Sequence, residues 1–144
     1  MLNEIEQEKK RAQHLFYVSL KYTKTKDVIL NLIEHWKKLI SLCIEVLLRK
    51  AKKAKKIKEI PTIPKARERM IRQLYKEDII DRVMDLYSFF RRLPNLEKFG
   101  EHEFRKNVAL RVLDSGKETV LNMEKLKEYN ELICKEFVDY VRHS

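Results

Sequence analysis

A chain of 144 residues with 32 Lys/Arg against 22 Asp/Glu carries a formal net charge of +10, and only two glycines and three prolines interrupt it. That length suits one domain that buries a core without cross-links, and the scarcity of breakers makes helix the default class. No uncharged run approaches a membrane span, the polar start MLNEIEQEKK is no secretory signal, and the two cysteines do not make a disulfide framework, so a cytoplasmic protein in a reducing compartment is expected.

Residues 3–22 read as a first helix, charged at its beginning and apolar over HLFYVSLKY. Thr23-Lys24-Thr25-Lys26-Asp27 breaks it. Thr25 is the expected N-cap of the next helix, and Asp27 sits in its first turn, where a negative charge is favoured. A short connection makes the two helices antiparallel neighbours. His14 and His35 then lie equally far from the bend and are expected to face each other. A metal site there would need more ligands than Glu34, so a structural or surface pair is the expectation.

The stretch from Val28 to about Ile57 organises everything else. Ile29, Ile33, Trp36, Ile40, Cys43 and Leu47 keep helical spacing, and Leu32, Leu39, Leu42, Ile44, Val46 and Leu48 widen the apolar face almost right round. Only the strip Glu34, Lys38, Ser41, Glu45, Arg49 stays polar. Such a helix is covered by several partners. Its second half turns basic: Arg49, Lys50, Lys52, Lys53, Lys55, Lys56 and Lys58 fall within ten residues. Residues 23–60 hold eleven Lys/Arg against four Asp/Glu, and so +7 of the net charge. A solvated helix end is one reading. A phosphate-binding patch is the other, since the density exceeds what solubility needs. The lysines face no large apolar side chains, which disfavours a membrane-lying helix.

Ile60-Pro61-Thr62-Ile63-Pro64 is a rigid connector, and Pro64 suits the first position of a new helix. Residues 65–75 form an amphipathic helix with Ala66, Met70, Ile71 and Leu74 inside and a basic face of Lys65, Arg67, Arg69 and Arg72. Arg67 and Arg69 extend the candidate patch. Residues 77–93 make a stronger helix with Ile80, Val83, Tyr87 and Phe90 in register, and Phe89-Phe90 as core or dimer seam. Leu93-Pro94 ends it. Over 101–121 the rhythm changes to partial alternation, with turn chemistry at Asp114-Ser115-Gly116-Lys117. A small β-hairpin near 106–113 and 117–121 is expected, the alternative being a helix over 101–113. Asn122 caps a last helix, 123–142, with the stripe Met123, Leu126, Ile133, Phe137, Tyr140. Asn130 lies within that stripe, as a register-fixing residue of a dimer or as a solvated Asn at its edge. Cys43 and Cys134 sit on apolar faces as buried thiols. No glycine-rich phosphate loop, nucleophile elbow or metal-ligand spacing occurs, and no cofactor is expected.

The stretch RAQHLFYVSLKYTKTKDVILNLIEHW, Arg11 to Trp36, resembles the opening helix pair of small archaeal helical proteins of the HEPN superfamily, and the order of long and short helices is similar. The Lys/Glu/Ile-rich, Gln-poor composition also suits a thermophile. The resemblance implies a homodimer associated with RNA metabolism, either a metal-independent ribonuclease or a non-catalytic companion of a nucleotidyltransferase. The nuclease members carry an Arg, then four to six residues, then a His. No arginine stands there before His14, His35, His102 or His143, so no catalytic residue carries over.

The expectation is therefore a mainly α protein, an antiparallel bundle of four to five helices with a small hairpin before the last. It would bind RNA or another polyanion, without catalysis, through Arg49, Lys50, Lys52, Lys53, Lys55, Lys56, Lys58, Arg67 and Arg69, as a homodimer. One alternative is a protein-interaction dimer with its seam on 79–93 and 123–141. The other is a degenerate HEPN-type ribonuclease using His102 as acid/base and Arg105 or Lys106 beside the phosphorane.

Overall fold

The computed structural model describes all 144 residues. The first helix, α1, begins as an α-helix (Leu2–His14), widens into a π-helical turn (Leu15–Ser19) and closes with a last α turn (Leu20–Tyr22). Helix α2 follows (Lys26–Lys53), capped by Thr25, whose Oγ1 accepts from the Val28 N–H at 3.3 Å. Helix α3 (Pro64–Leu74) starts on its proline, and α4 (Asp78–Arg92) runs into a 3-10 turn (Leu93–Asn95). Three antiparallel strands come next: β1 (Glu97–Glu101), β2 (Ala109–Asp114) and β3 (Lys117–Asn122), in the order β1-β2-β3. The last helix, α5, joins Met123–Asn130, a π-helical stretch (Glu131–Phe137) and Val138–Arg142, capped by Asn122 on the Lys125 N–H at 2.8 Å. The class is mainly helical with a small antiparallel sheet.

Helix α2 is the hub. Twelve of its residues are buried, from Ile29 to Ala51, and α1, α3, α4, α5 and the sheet all pack on it. The near-continuous apolar circumference predicted this, because each covered side chain of this size is worth roughly 1.5–3 kcal/mol over exposure. Trp36 is fully buried, stacked on Phe90 of α4 at 6.2 Å and edge-on to Tyr129 of α5 at 6.1 Å. One core of 34 buried residues runs through the molecule. Cys43 and Cys134 are free and buried, and burial lifts the Cys134 thiol to about 12 and Cys43 higher still. They pack as apolar groups.

Four expectations are corrected. Helix α2 ends at Lys53 rather than near Ile57. It stops in a two-bond C-terminal motif, with Lys56 N–H donating to Ala51 O at 2.9 Å and Lys55 N–H to Lys52 O at 3.0 Å. Lys55 takes the left-handed conformation there, φ 61°, where glycine is the usual residue. The hairpin gains an edge strand: β1 pairs with β2 from Glu97↔Leu113 to Glu101↔Ala109. Its residues KFGE carry no helical or clean alternating signal, so periodicity alone did not reveal it. The 106–113 strand begins later, at Ala109, because residues 102–107 form a tight loop. Asn130 is neither solvated nor left for a dimer. It is fully buried, accepting from Trp36 Nε1–H and donating to Tyr17 OH, both at 3.3 Å.

The sheet turns Leu110, Val112 and Leu121 inward. Gly116 at φ 81° follows Ser115 at φ 53° in the two-residue turn that joins β2 and β3, the pair of positive dihedrals a tight hairpin requires. Gly100 allows β1 to approach α2, since a Cβ there would lie 3.0 Å from Lys26 Cβ and 2.6 Å from Glu103 Oε1. Glu103 Oε2 in turn accepts from the Lys26 N–H at 3.2 Å. The 102–107 loop is fastened to the α1–α2 turn by Phe104 N–H on Lys24 O at 2.6 Å. His102 and Phe104 hold φ 52° and 66°, a conformation costing about 1–2 kcal/mol for a side chain with a Cβ.

Candidate functional site

The nine predicted binding cations divide by what they touch. Arg49 and Arg67 converge on one carboxylate, Glu45, at 3.3 and 3.0 Å. Arg67 also donates to Pro61 O at 2.7 Å, tying the connector to α3. Lys50 caps the far end of α5, donating to Val141 O at 2.9 Å and Ser144 O at 3.0 Å. These three are structural cations. A positive group on C-terminal carbonyls satisfies orphan acceptors at the negative end of the helix dipole.

Lys52, Lys53, Lys55, Lys56 and Lys58 are exposed and form no ion pair. They occupy the last turn of α2 and the chain beyond it, so the end of the hub helix is a projecting apex of five free lysines in seven residues. On one flank Lys50, Lys53, Lys56 and Tyr75 line a shallow hollow of about 480 Å³ floored by Ala51 and Ala54. The Tyr75 hydroxyl is anchored on Leu47 O at 3.0 Å, and its ring stands edge-on to Tyr140 at 6.4 Å.

The basic face expected on α3 is mostly neutralised. Arg72 bonds Glu68, Asp81 and Asp85 at 3.2, 3.2 and 2.7 Å, and Arg91 also binds Glu68. Burial alone would lower the Arg72 pKa, but the hydrogen bonds and charges of Asp85 and Glu68 outweigh it and raise it. Lys65 and Arg69 remain exposed without an ion pair. Arg69 lies two residues, about 200°, around α3 from Arg67, so it points away from the face that meets α2.

The two histidines do not face each other. His14 is exposed, whereas His35 Nδ1 lies 2.5 Å from Glu8 Oε1. Glu8 is 1% exposed, and its other oxygen takes Arg11 at 3.1 Å and Lys38 at 3.7 Å. Burial by itself would raise this carboxyl. The hydrogen bonds from His35 and Arg11, with the charges of His35 and Lys38, reverse that and hold it below its ordinary value. One glutamate among three in the charged opening half of α1 gave no sequence signal of this pairing; the signal that existed was its spacing of three and four from Ile5 and Ala12, on the inward face of α1. Beyond His35 opens a hollow of about 550 Å³, also lined by Lys37, Lys38, Ser41, Tyr87 and Arg91. Its cations are already matched, Lys37 to Glu34 and Arg91 to Glu68.

His102, Arg105 and Lys106 lie together on the exposed 102–107 loop, with no carboxylate or second histidine in contact. No group of three His, Cys, Asp or Glu is placed to hold a metal, and no helix is long and apolar enough to cross a membrane. The faces suggested as a dimer seam are largely used inside the chain, with Ile80, Val83, Phe90, Ile133 and Phe137 all fully buried. Comparison of the chain with family models, with curated proteins and with solved structures finds no match.

Proposed function

We propose that the protein is a non-enzymatic helical-bundle module that binds RNA or another polyanion through the lysine apex at the end of α2. One observation carries the reading: five consecutive cations of that segment have no internal partner, while Arg49, Arg67 and Arg72 around them are paired with carboxylates. Free lysines in the last turn of the helix and on the chain that leaves it are available to displace the counterions of a phosphate backbone. Lys55 adds to this, because a lysine stands where a glycine would relieve a left-handed backbone. The resemblance of residues 11–36 to HEPN proteins supports RNA as the polyanion.

The test is a gel-shift titration with a structured RNA at 50 and 200 mM salt, on the natural chain and on K52A/K53A/K55A/K56A, with RNA integrity scored in the same lanes. The expected result is binding that weakens steeply with salt, is lost in the variant, and leaves the RNA intact. Binding unchanged by salt or by the four substitutions sinks the reading, and cleaved RNA transfers attention to His102 and Arg105.

A second reading, a module that pairs with its own copy, is favoured by the cleft between α4, β3 and α5. It is lined by Leu86, Phe89, Tyr129 and Leu132 and measures about 390 Å³. Sedimentation of the natural chain and of Phe89→Glu at micromolar concentration tests it. A monomer in both removes it.

A further inference from the structure

The end of the molecule opposite the lysine apex is also basic, and it carries two bare aromatic rings. Tyr22, the last residue of α1, is 81% exposed, and Phe104 is 76% exposed; no other large apolar side chain is as open. They flank the same junction. Phe104 N–H is bonded to Lys24 O, two residues beyond Tyr22, so the loop and the helix end form one surface.

One exposed ring is ordinary on a protein surface, and what is informative is the shared exposure of two beside one basic junction. Here the backbone enforces it. Phe104 is held at φ 66° and His102 at φ 52°, within a loop tied down by Arg105 N–H on His102 O and Val108 N–H on Arg105 O, both at 3.1 Å. Of the cations at this junction, Lys26, Arg105 and Lys106 form no ion pair, and Lys24 Nζ donates to the Lys21 carbonyl without a carboxylate partner. Of the carboxylates here, Glu103 is committed to the first turn of α2 through the Lys26 N–H, and Asp27 sits in that same turn, at the positive end of the helix dipole. Free positive charge interleaved with unpacked aromatic faces suits one kind of partner: a strand whose phosphates meet the cations while its unpaired bases stack on the rings. A duplex keeps its bases stacked on each other and has none to offer. A protein partner would have to match the cations with carboxylates and also offer sockets for two separate rings, whereas a single strand carries phosphates and stackable bases together.

We propose that Tyr22 and Phe104 form a stacking platform for single-stranded nucleic acid, with Lys24, Lys26, Arg105 and Lys106 holding its phosphates. The platform uses none of the apex lysines. It lies at the opposite end of α2, whose 28 residues span about 42 Å.

Fluorescence anisotropy tests it with three labelled probes of equal length: a mixed-sequence 12-nucleotide RNA, the same backbone without bases, and the duplex. The proteins are the natural chain, Y22A/F104A, Y22W/F104W and K52A/K53A/K55A/K56A. Y22A/F104A is expected to bind the 12-mer at least tenfold more weakly while binding the baseless strand within twofold of the natural chain. Y22W/F104W keeps both rings and is expected to bind like the natural chain, with tryptophan emission quenched by stacking. The proposal is overturned if the natural chain does not bind the 12-mer, if Y22A/F104A binds it unchanged, if the baseless strand is weakened equally, or if the tryptophan variant fails to bind. The apex variant separates the two sites. It is expected to weaken the 12-mer and the baseless strand alike, and a null result there removes the apex reading while leaving the platform standing.

Discussion

Two side chains carry much of what is unusual about this molecule at the scale of single residues. Glu8 is a carboxylate with essentially no exposure, sustained by His35, Arg11 and Lys38. Removing its charge leaves partners half-satisfied, which for a buried hydrogen-bonded group costs about 1–3 kcal/mol. Glu8→Gln is therefore expected to lower the unfolding free energy by about that amount near neutral pH, measured by urea denaturation. The pH dependence has a definite sign. A carboxyl held below its unfolded value, near the ordinary 4.5, stabilises the fold fully above that pH. That contribution disappears as pH falls through the lower folded value. As pH falls below 4.5 the natural chain should lose stability more steeply than Glu8→Gln, and parallel losses would show that the carboxyl is not depressed. Lys55 works in the other direction. Glycine relieves its positive φ, so Lys55→Gly is expected to raise stability by about 0.5–1 kcal/mol, read from the same titrations, while weakening polyanion binding by one cation.

At the scale of elements, the two π-helical stretches explain how three helices meet. Tyr17 lies in the wide turn of α1, and Asn130 immediately precedes that of α5. Each extra residue per turn rotates the following side chains and brings the polar pair together over Trp36. Asn130→Ala orphans the indole N–H in a dry core. It is expected to destabilise by about 1–3 kcal/mol and to change the emission of the single tryptophan, and a variant as stable as the natural chain would mean that water replaces the amide. The strand pair shows the same logic with simpler means. Gly116 at φ 81° sits in open space, so Gly116→Ala costs only backbone strain, about 1 kcal/mol by thermal unfolding, without a clash.

For the whole molecule, the charge distribution is the property that matters. The excess lies at both ends of α2 while the flanks are laced with paired charges such as Arg72 with Asp85 and Arg92 with Asp114. Binding of single-stranded RNA should then fall with salt at about 0.7 decades per decade for each engaged cation. Four apex lysines changed to alanine should flatten that slope by up to about 2.8. A slope the same in both proteins would place the contacts elsewhere.

Most of the helical plan was legible because its causes are local. Thr25 and Asn122 announce caps, Pro64 announces a start, and the three-and-four spacing of α2 announces a hub, since these depend on a few neighbouring residues and on amphipathic period. The Asp114-Ser115-Gly116-Lys117 turn was legible for the same reason. Which lysines are free was not. Arg49, Lys50 and Arg67 look like Lys52 and Lys55 in sequence, and only their partners on other elements, Glu45 and the carbonyls of α5, set them apart. Glu8 meeting His35, Asn130 meeting Trp36, β1 joining the sheet and Phe104 bonded to Lys24 are likewise contacts between residues distant in the chain. The sequence by itself determined a mainly helical, basic protein built round one apolar helix, because propensity, capping and period are written in adjacent residues. The tertiary structure alone decided which charges are neutralised and which aromatic rings stay bare, because both depend on what the fold brings within a few ångströms.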